Sequence, residues 1–348
     1  MSSLTNAYEV DFYSSTDAAI PALRGSVTPG LIVMDYNLMV RHSREFMKIK
    51  LQEEELQEIP ILVTGTVDHD EFIHTVRMVC RVHYLQRPFL QSQLREAAAH
   101  LVSAPIEDRW KKLPARQKEA LQQTAINFRA IEKKVRKGLG LNMEDTRESC
   151  TPLMEEVLDG NGAALMENVK GHHNHTYVHS VKVATLMTML AKAIGIKGHE
   201  LLTVTAAGML MDVGKIATPQ DVLNSPDNLD KDQMIEMKKH VYHTHDILEQ
   251  SDGVTEGIKV VAEQHHEKLD GSGYPFGLKG KDLNELARFA AISDIFCALT
   301  DKRPYKPAYS FNQAIKVLEK MEDQIDPFLL ALFKEIVLLA YADQSSVH

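Results

Sequence analysis

The stretch His265-His266-Glu267-Lys268-Leu269-Asp270-Gly271-Ser272-Gly273-Tyr274-Pro275 sets two adjacent histidines near the end of a helical run and follows them with a glycine-rich turn. Working outward from it, other histidines and acids fall at spacings that bring side chains together. His175 and His179 are four residues apart in a helical segment and share one face. Asp212 lies in Ala207-Gly208-Met209-Leu210-Met211-Asp212-Val213-Gly214-Lys215. An acid directly after an apolar run needs a partner if it is buried. His240 sits on a helix ending near Leu248, and Asp294 interrupts the apolar helix Leu286 to Leu299. Any one of these histidines alone reads as a satisfied or solvated helical residue. Taken together, the histidines and aspartates are a mixed nitrogen and oxygen set suited to iron, manganese, zinc or nickel. From Cys150 onward every signal is helical.

Composition narrows the function classes. At 348 residues the chain exceeds an average domain, so two domains are expected. Hydrophobic residues make up 44% and charged residues 25%, an ordinary globular composition. No apolar run reaches the roughly 18 residues of a membrane helix, and Met1 to Tyr13 lacks a basic segment followed by an apolar one. A cytoplasmic protein without a membrane span is therefore expected. Cys80, Cys150 and Cys297 are widely separated and form no CxxC, which argues against a disulfide framework or a cysteine zinc site. The net charge of −9 argues against a nucleic-acid polymer as partner, and an anionic substrate would need a local basic pocket. Of the 16 histidines, 10 lie between His172 and His266. That asymmetry places the chemistry in the second half, because imidazole is the commonest metal ligand.

The first hundred residues alternate strand and helix signals. Tyr8 to Tyr13 reads as a short strand and Thr16 to Leu23 as a helix. Leu31 to Met34 and Ile59 to Val63 are continuous apolar runs, the pattern of buried parallel strands. Asp70 to Cys80 reads as a helix, His83 to Leu85 as a third apolar touch, and Pro88-Phe89 opens a last helix to about Val102. The expected fold is an α/β N-terminal domain at 1–104 with a partial parallel sheet, a helical linker at 105–149, and an all-α domain at 150–348. Leu121, Phe128 and Val135 recur every seven residues with Ile131 between them. That seam fits either a short coiled coil joining two copies or a helix packed on its own chain.

The helical half resembles the HD-GYP family, the helical metal-dependent phosphodiesterases that degrade cyclic di-GMP. The quoted loop matches that family's signature in full. Thr176-Tyr177-Val178-His179-Ser180 matches the first ligand helix, and Lys238-Lys239-His240 the third ligand segment. Ala291-Ile292-Ser293-Asp294 matches the last ligand, and Asp301-Lys302-Arg303-Pro304-Tyr305-Lys306 the substrate-phosphate segment. The resemblance runs from about Cys150 to about Ala342 and implies an HD-superfamily helical fold. It implies two metals bridged by Asp212, iron first, with manganese, zinc or nickel as alternatives. His240, His265 and His266 would complete one site, and His179 and Asp294 would belong to the other. One departure matters: Met211-Asp212 stands where the family has His-Asp. A thioether is a soft ligand and a poor substitute for imidazole on Fe(II) or Mn(II). The second site is therefore expected to be the weaker. His175, where some relatives carry a ligand for a third metal, is a candidate for the missing nitrogen.

The resemblance also implies roles in cyclic di-GMP hydrolysis. Lys215 would support the charge at Asp212, Arg303 and Lys306 would grip the phosphates, and Gly273 and Tyr274 would border the base or sugar pocket. The alternative is a catalytically weak or inactive module that binds cyclic di-GMP and reports it to a partner. A phosphohydrolase acting on another nucleotide is a third reading, against which the complete loop and the Arg303/Lys306 pair weigh.

Asp35 after a strand, Thr64 and Arg87-Pro88-Phe89 resemble the receiver domains of two-component signalling, in which the aspartate accepts a phosphoryl group. Arg87 stands where that family has lysine. The acidic pair that holds Mg²⁺ has no counterpart in the residues before Asp35, and Tyr8 to Tyr13 fits the second receiver strand better than the first. The expectation is a truncated, degenerate receiver used for contact with a signalling partner.

Overall fold

The structure is a computed structural model that describes residues 4, 8, 10–24, 29–42, 44–66, 71–78, 80–172, 174–223, 225, 229–301 and 308–345. The chain divides into two compact units, one of residues 1–109 with 171–174 and one of residues 110–170 with 175–348.

In the first unit, β1 (Ile32–Asp35), β2 (Ile61–Gly65) and β3 (Val82–Gln86) form a parallel sheet in the order β1-β2-β3. The middle strand is buried along its whole length, which accounts for its unbroken apolar run. Its alternate residues serve two faces. Ile61 and Val63 pack with Met34, Met39, Phe46, Ile73 and Val76, and Leu62 packs with Leu94, Ala98 and Leu101. The helix after β3 spans Gln91–Trp110 and continues through Pro105.

One expected element is corrected. The described part of Tyr8 to Tyr13 is not a strand and joins no ladder. Tyr8 and Val10 instead lie against the cluster around Leu62 and Leu94, while Phe12 and Tyr13 are exposed. Side-chain packing satisfies the apolar positions there without backbone pairing.

The second unit is helical. Its first helix, α1 (Ala115–Val135), packs on α2 (Met143–Leu158), and Leu121, Phe128 and Ile131 are buried. The apolar seam of α1 is thus turned toward its own chain. Next come α3 (His175–Ala193) and α4 (Gly198–Leu210), which pack against each other. Residues 180–188 of α3 are all buried, so its apolar character runs around the helix rather than along one stripe. A single 3₁₀ turn, Val213–Ile216, joins α4 to the segment leading to α5 (His240–Glu249). Then follow α6 (Glu256–Gln264) and α7 (Glu285–Thr300), the latter packed on α3 and α6. Among the described residues no helix is long and apolar enough to cross a membrane. Cys80, Cys150 and Cys297 are buried free thiols.

Candidate metal centre

Asp212 is the hub. It follows the last turn of α4 and is fully buried. Its Oδ1 lies 3.3 Å from His240 Nε2 and 3.6 Å from His265 Nε2, and its Oδ2 lies 3.3 Å from His179 Nε2. Two elements of local chemistry hold it there. Gly214 lets the 3₁₀ turn press onto α5, because a Cβ at that position would collide with the backbone oxygen of His240. The buried Thr244 hydroxyl then accepts from the Gly214 N–H at 3.0 Å and donates back to the His240 carbonyl at 2.8 Å.

The first ligand group comprises Asp212, His240, His265 and His266, with candidate ligand atoms within 4.8 Å of one another. His240 Nδ1 donates to the Met237 carbonyl at 2.6 Å, and His265 Nδ1 donates to the Ala262 carbonyl at 3.0 Å. A carbonyl only accepts, so both Nδ1 atoms carry protons, and a neutral ring turns an Nε2 lone pair inward. Three such nitrogens crowd together. His240 Nε2 is 3.4 Å from His265 Nε2 and 3.2 Å from His266 Nε2. Burial lowers His240 and holds His266 well below the usual imidazole range. Asp212 Oδ1 is buried without a hydrogen-bond donor. An orphaned carboxylate oxygen facing converging nitrogen lone pairs is what a divalent cation satisfies, so these residues fit a metal.

The second group comprises His179, Asp212 and Asp294. His179 Nε2 lies 2.8 Å from Asp294 Oδ1, and its Nδ1 lies 3.4 Å from Asp301 Oδ2. Burial would lower His179, but hydrogen bonds with Asp212, Asp294 and Asp301 raise it well above its ordinary range. Burial would raise Asp294, yet the His179 hydrogen bond and the charges of His179 and Lys215 outweigh it and hold the carboxyl below its usual range. Burial likewise opposes ionisation of Asp212, but the Lys215 charge and the His179 hydrogen bond hold it ionised. Lys215 Nζ lies 2.7 Å from Asp212 Oδ2.

Met211 is fully buried beside Asp212 and brings no nitrogen or oxygen to either group. His175 opens α3 one turn before His179, is exposed, and stands outside both groups. Tyr274 stacks on His266 with ring centroids 4.6 Å apart, and Lys238 Nζ lies 4.6 Å from the centre of its ring. Gly273 is set by space, since a Cβ there would run into the Glu267 backbone. Arg303 and Lys306 lie outside the described residues.

Sequence reading passed over three contributors. Glu267, almost fully buried, accepts from the backbone N–H groups of Phe276, Gly277 and Leu278 at 2.6, 3.1 and 3.0 Å and so shapes the glycine-rich loop. Lys182 and Asp301 form an ion pair beside His179. The available signal was Lys182 itself, a charge inside an apolar helical run and one turn from His179.

A family model for the HD domain matches residues 163–329. That segment is similar to HD domains. The cyclic di-GMP phosphodiesterase PA4108 of Pseudomonas aeruginosa is 32% identical over 177 residues, 51% of this chain and 43% of that one. The cyclic di-GMP phosphodiesterase response regulator RpfG of Xanthomonas campestris pv. campestris is 28% identical over 88% of this chain and 75% of its own. A third relative, the 3′3′-cGAMP-specific phosphodiesterase 1 of Vibrio cholerae, is 36% identical over 45% of this chain and 36% of its own. The chain thus spans less than half the length of PA4108 and three quarters of RpfG. Among solved structures, Bd1817, a HDG"Y"P protein from Bdellovibrio bacteriovorus, superposes with a TM-score of 0.52 at 18% identity, covering 70% of this chain and 80% of that one. That likeness concerns the fold.

In the first unit Asp35, Thr64 and Arg87 also meet. Asp35 ends β1, Thr64 lies on β2, and Arg87 follows β3. Arg87 pairs with Asp35 at 3.2 Å and donates to Thr64 Oγ1 at 2.8 Å.

Proposed function

We propose that this protein is an HD-GYP-type phosphodiesterase that hydrolyses cyclic di-GMP at a two-metal centre. The observation that carries the reading is the convergence of His240, His265, His266, His179 and Asp294 on the two oxygens of one buried carboxylate, Asp212. Two divalent ions at such a centre supply Lewis acidity and an activated water for in-line attack on phosphorus. Iron is the metal proposed, with manganese, zinc or nickel compatible with the same donors. The chain's own groups do the rest. Asp212 stays ionised and turns one oxygen to each group, and neutral His240 and His266 keep nitrogen lone pairs free. Lys215 holds positive charge at the rim of the second group, where charge on phosphoryl oxygens is stabilised. Tyr274 borders the centre through its stack on His266, and Arg303 and Lys306 are assigned to the substrate phosphates.

In the same reading residues 1–104 are a degenerate receiver, 105–149 a helical connection and 150–348 the phosphodiesterase, in a cytoplasmic signalling protein. The extent of the RpfG alignment supports this, because 88% of the chain cannot be covered without residues of the first unit. The Arg87–Asp35 ion pair supports a contact role over a phosphorylated switch.

The test is metal content and cyclic di-GMP turnover in protein purified anaerobically, before and after His265→Ala. The expected result is loss of the tighter metal and of turnover in the variant, with 3′3′-cGAMP cleaved more slowly than cyclic di-GMP by the parent. Unchanged metal content in His265→Ala would remove the ligand assignment. Metal-loaded parent protein that binds cyclic di-GMP without cleaving it would leave a sensor in place of an enzyme.

A further inference from the structure

His179 is the one imidazole of the second ligand group, and both of its nitrogens face carboxylates. Nε2 meets Asp294 and Asp212, and Nδ1, across the ring, lies 3.4 Å from Asp301 Oδ2. Asp301 is the residue after α7, seven positions beyond Asp294. Two helical turns separate them, so one helix offers carboxylates to both nitrogens of one ring. The other oxygen of Asp301, Oδ1, forms an ion pair with Lys182, which lies one turn beyond His179 on α3 and is only 5% exposed. A lysine so deeply buried requires a counter-charge. Asp301 therefore has one oxygen committed to the α3 ammonium and the other to the α3 imidazole.

We infer that Asp301, anchored by Lys182, is a positioning residue that orients His179 and sets the metal affinity of the second group; the inference rests on the metal-centre reading above. A carboxylate on the distal nitrogen keeps the proton at Nδ1, aims the Nε2 lone pair at the metal and strengthens the donor. The two groups differ on this point. His240 and His265 are oriented by neutral backbone carbonyls, His179 by a full charge. The difference falls where it matters, because Met211 contributes no nitrogen and His179 is the second group's one imidazole.

The experiment is titration of the metal-free full chain with Mn(II), reading free ion by electron paramagnetic resonance. A tighter and a weaker class are expected. Asp301→Asn keeps the shape and removes the charge. It should weaken the weaker class by about tenfold or more, the usual range for such partners, and leave the tighter class within about twofold. Turnover of cyclic di-GMP in the variant should then recover as Mn(II) is raised, with KM for the nucleotide unmoved. Should the lone substitution strand the Lys182 charge and unfold the chain, Asp301→Asn with Lys182→Met removes both charges and carries the same expectation. A weaker class unchanged within about twofold, or equal losses in both classes, overturns the inference. The two readings fail separately. Selective loss of the weaker class in a protein that cleaves no cyclic dinucleotide leaves Asp301 in its role and removes the proposed reaction. Cleavage with unaltered Mn(II) affinity in the variant does the reverse.

Discussion

In the proposed reading, turnover depends most on Met211. Fully buried and next to Asp212, it puts a thioether where an imidazole would complete the second group. Met211→His should raise cyclic di-GMP turnover by about tenfold or more, equivalent to about 1.4 kcal/mol of transition-state stabilisation. Metal content measured in both forms decides the cause. Two metals and no gain on substitution would mean that another group already fills the position. The histidines also predict how proton competition differs between the groups. His240 and His266 are lowered, so at and above the ordinary imidazole value of about 6.5 they are neutral and no proton need leave for metal to bind. His179 is raised well above that value, so its proton must be displaced until the pH passes its own pKa. Weaker-class Mn(II) affinity should therefore climb by up to about tenfold per pH unit from pH 6.5 to 7.5, while the tighter class stays nearly flat. Calorimetric titration in buffers of different ionisation enthalpy reads the proton released, and equal release by both classes would contradict the assignment.

At the scale of elements, the glycine-rich loop depends on one buried acid. Glu267 receives three consecutive backbone N–H groups, and Gly273 packs against its main chain. Glu267→Ala leaves those donors without an acceptor, at about 1–3 kcal/mol for each that stays buried. We expect about 3 kcal/mol of destabilisation in urea unfolding of the metal-free protein, with a smaller loss for Glu267→Gln, which keeps one acceptor oxygen. Losses under about 0.5 kcal/mol in both would show that the loop is held by other contacts. Helix and strand positions were largely legible. Apolar runs located β1 and β2 to within about two residues and a short apolar touch marked β3; β2, buried along its whole length, has no polar face to confuse the pattern. Tyr8 to Tyr13 misled because alternating apolar side chains can pack on a neighbouring face without joining its ladder. Asp301 and Lys182 escaped notice for a related reason. Their meaning lies in a contact across 119 residues, which the local segment holding Asp301 does not encode.

Across the whole molecule, the two units each gather a polar cluster at the ends of regular elements. In the first, Arg87 places its guanidinium on Asp35, which in the degenerate-receiver reading is where a cation or phosphoryl group would sit. Acetyl phosphate or beryllofluoride should therefore leave the first unit unmodified, as read by intact mass and by amide spectra. Stoichiometric labelling abolished by Asp35→Asn would overturn that expectation. By itself the sequence determined the residue types of the candidate centre, their order along the chain, the helices that bear them and the thioether at Met211. Those are local matters of spacing, period and chemical identity. Only the tertiary structure decided that Asp212 divides its two oxygens between two ligand groups, that His175 stands outside both, and that Asp301 reaches the far side of the His179 ring. The reason is physical. The groups assemble from α3, the end of α4, α5, the end of α6 and α7, and their distances follow from helix packing and from close approaches such as Gly214 on His240, which no local propensity encodes.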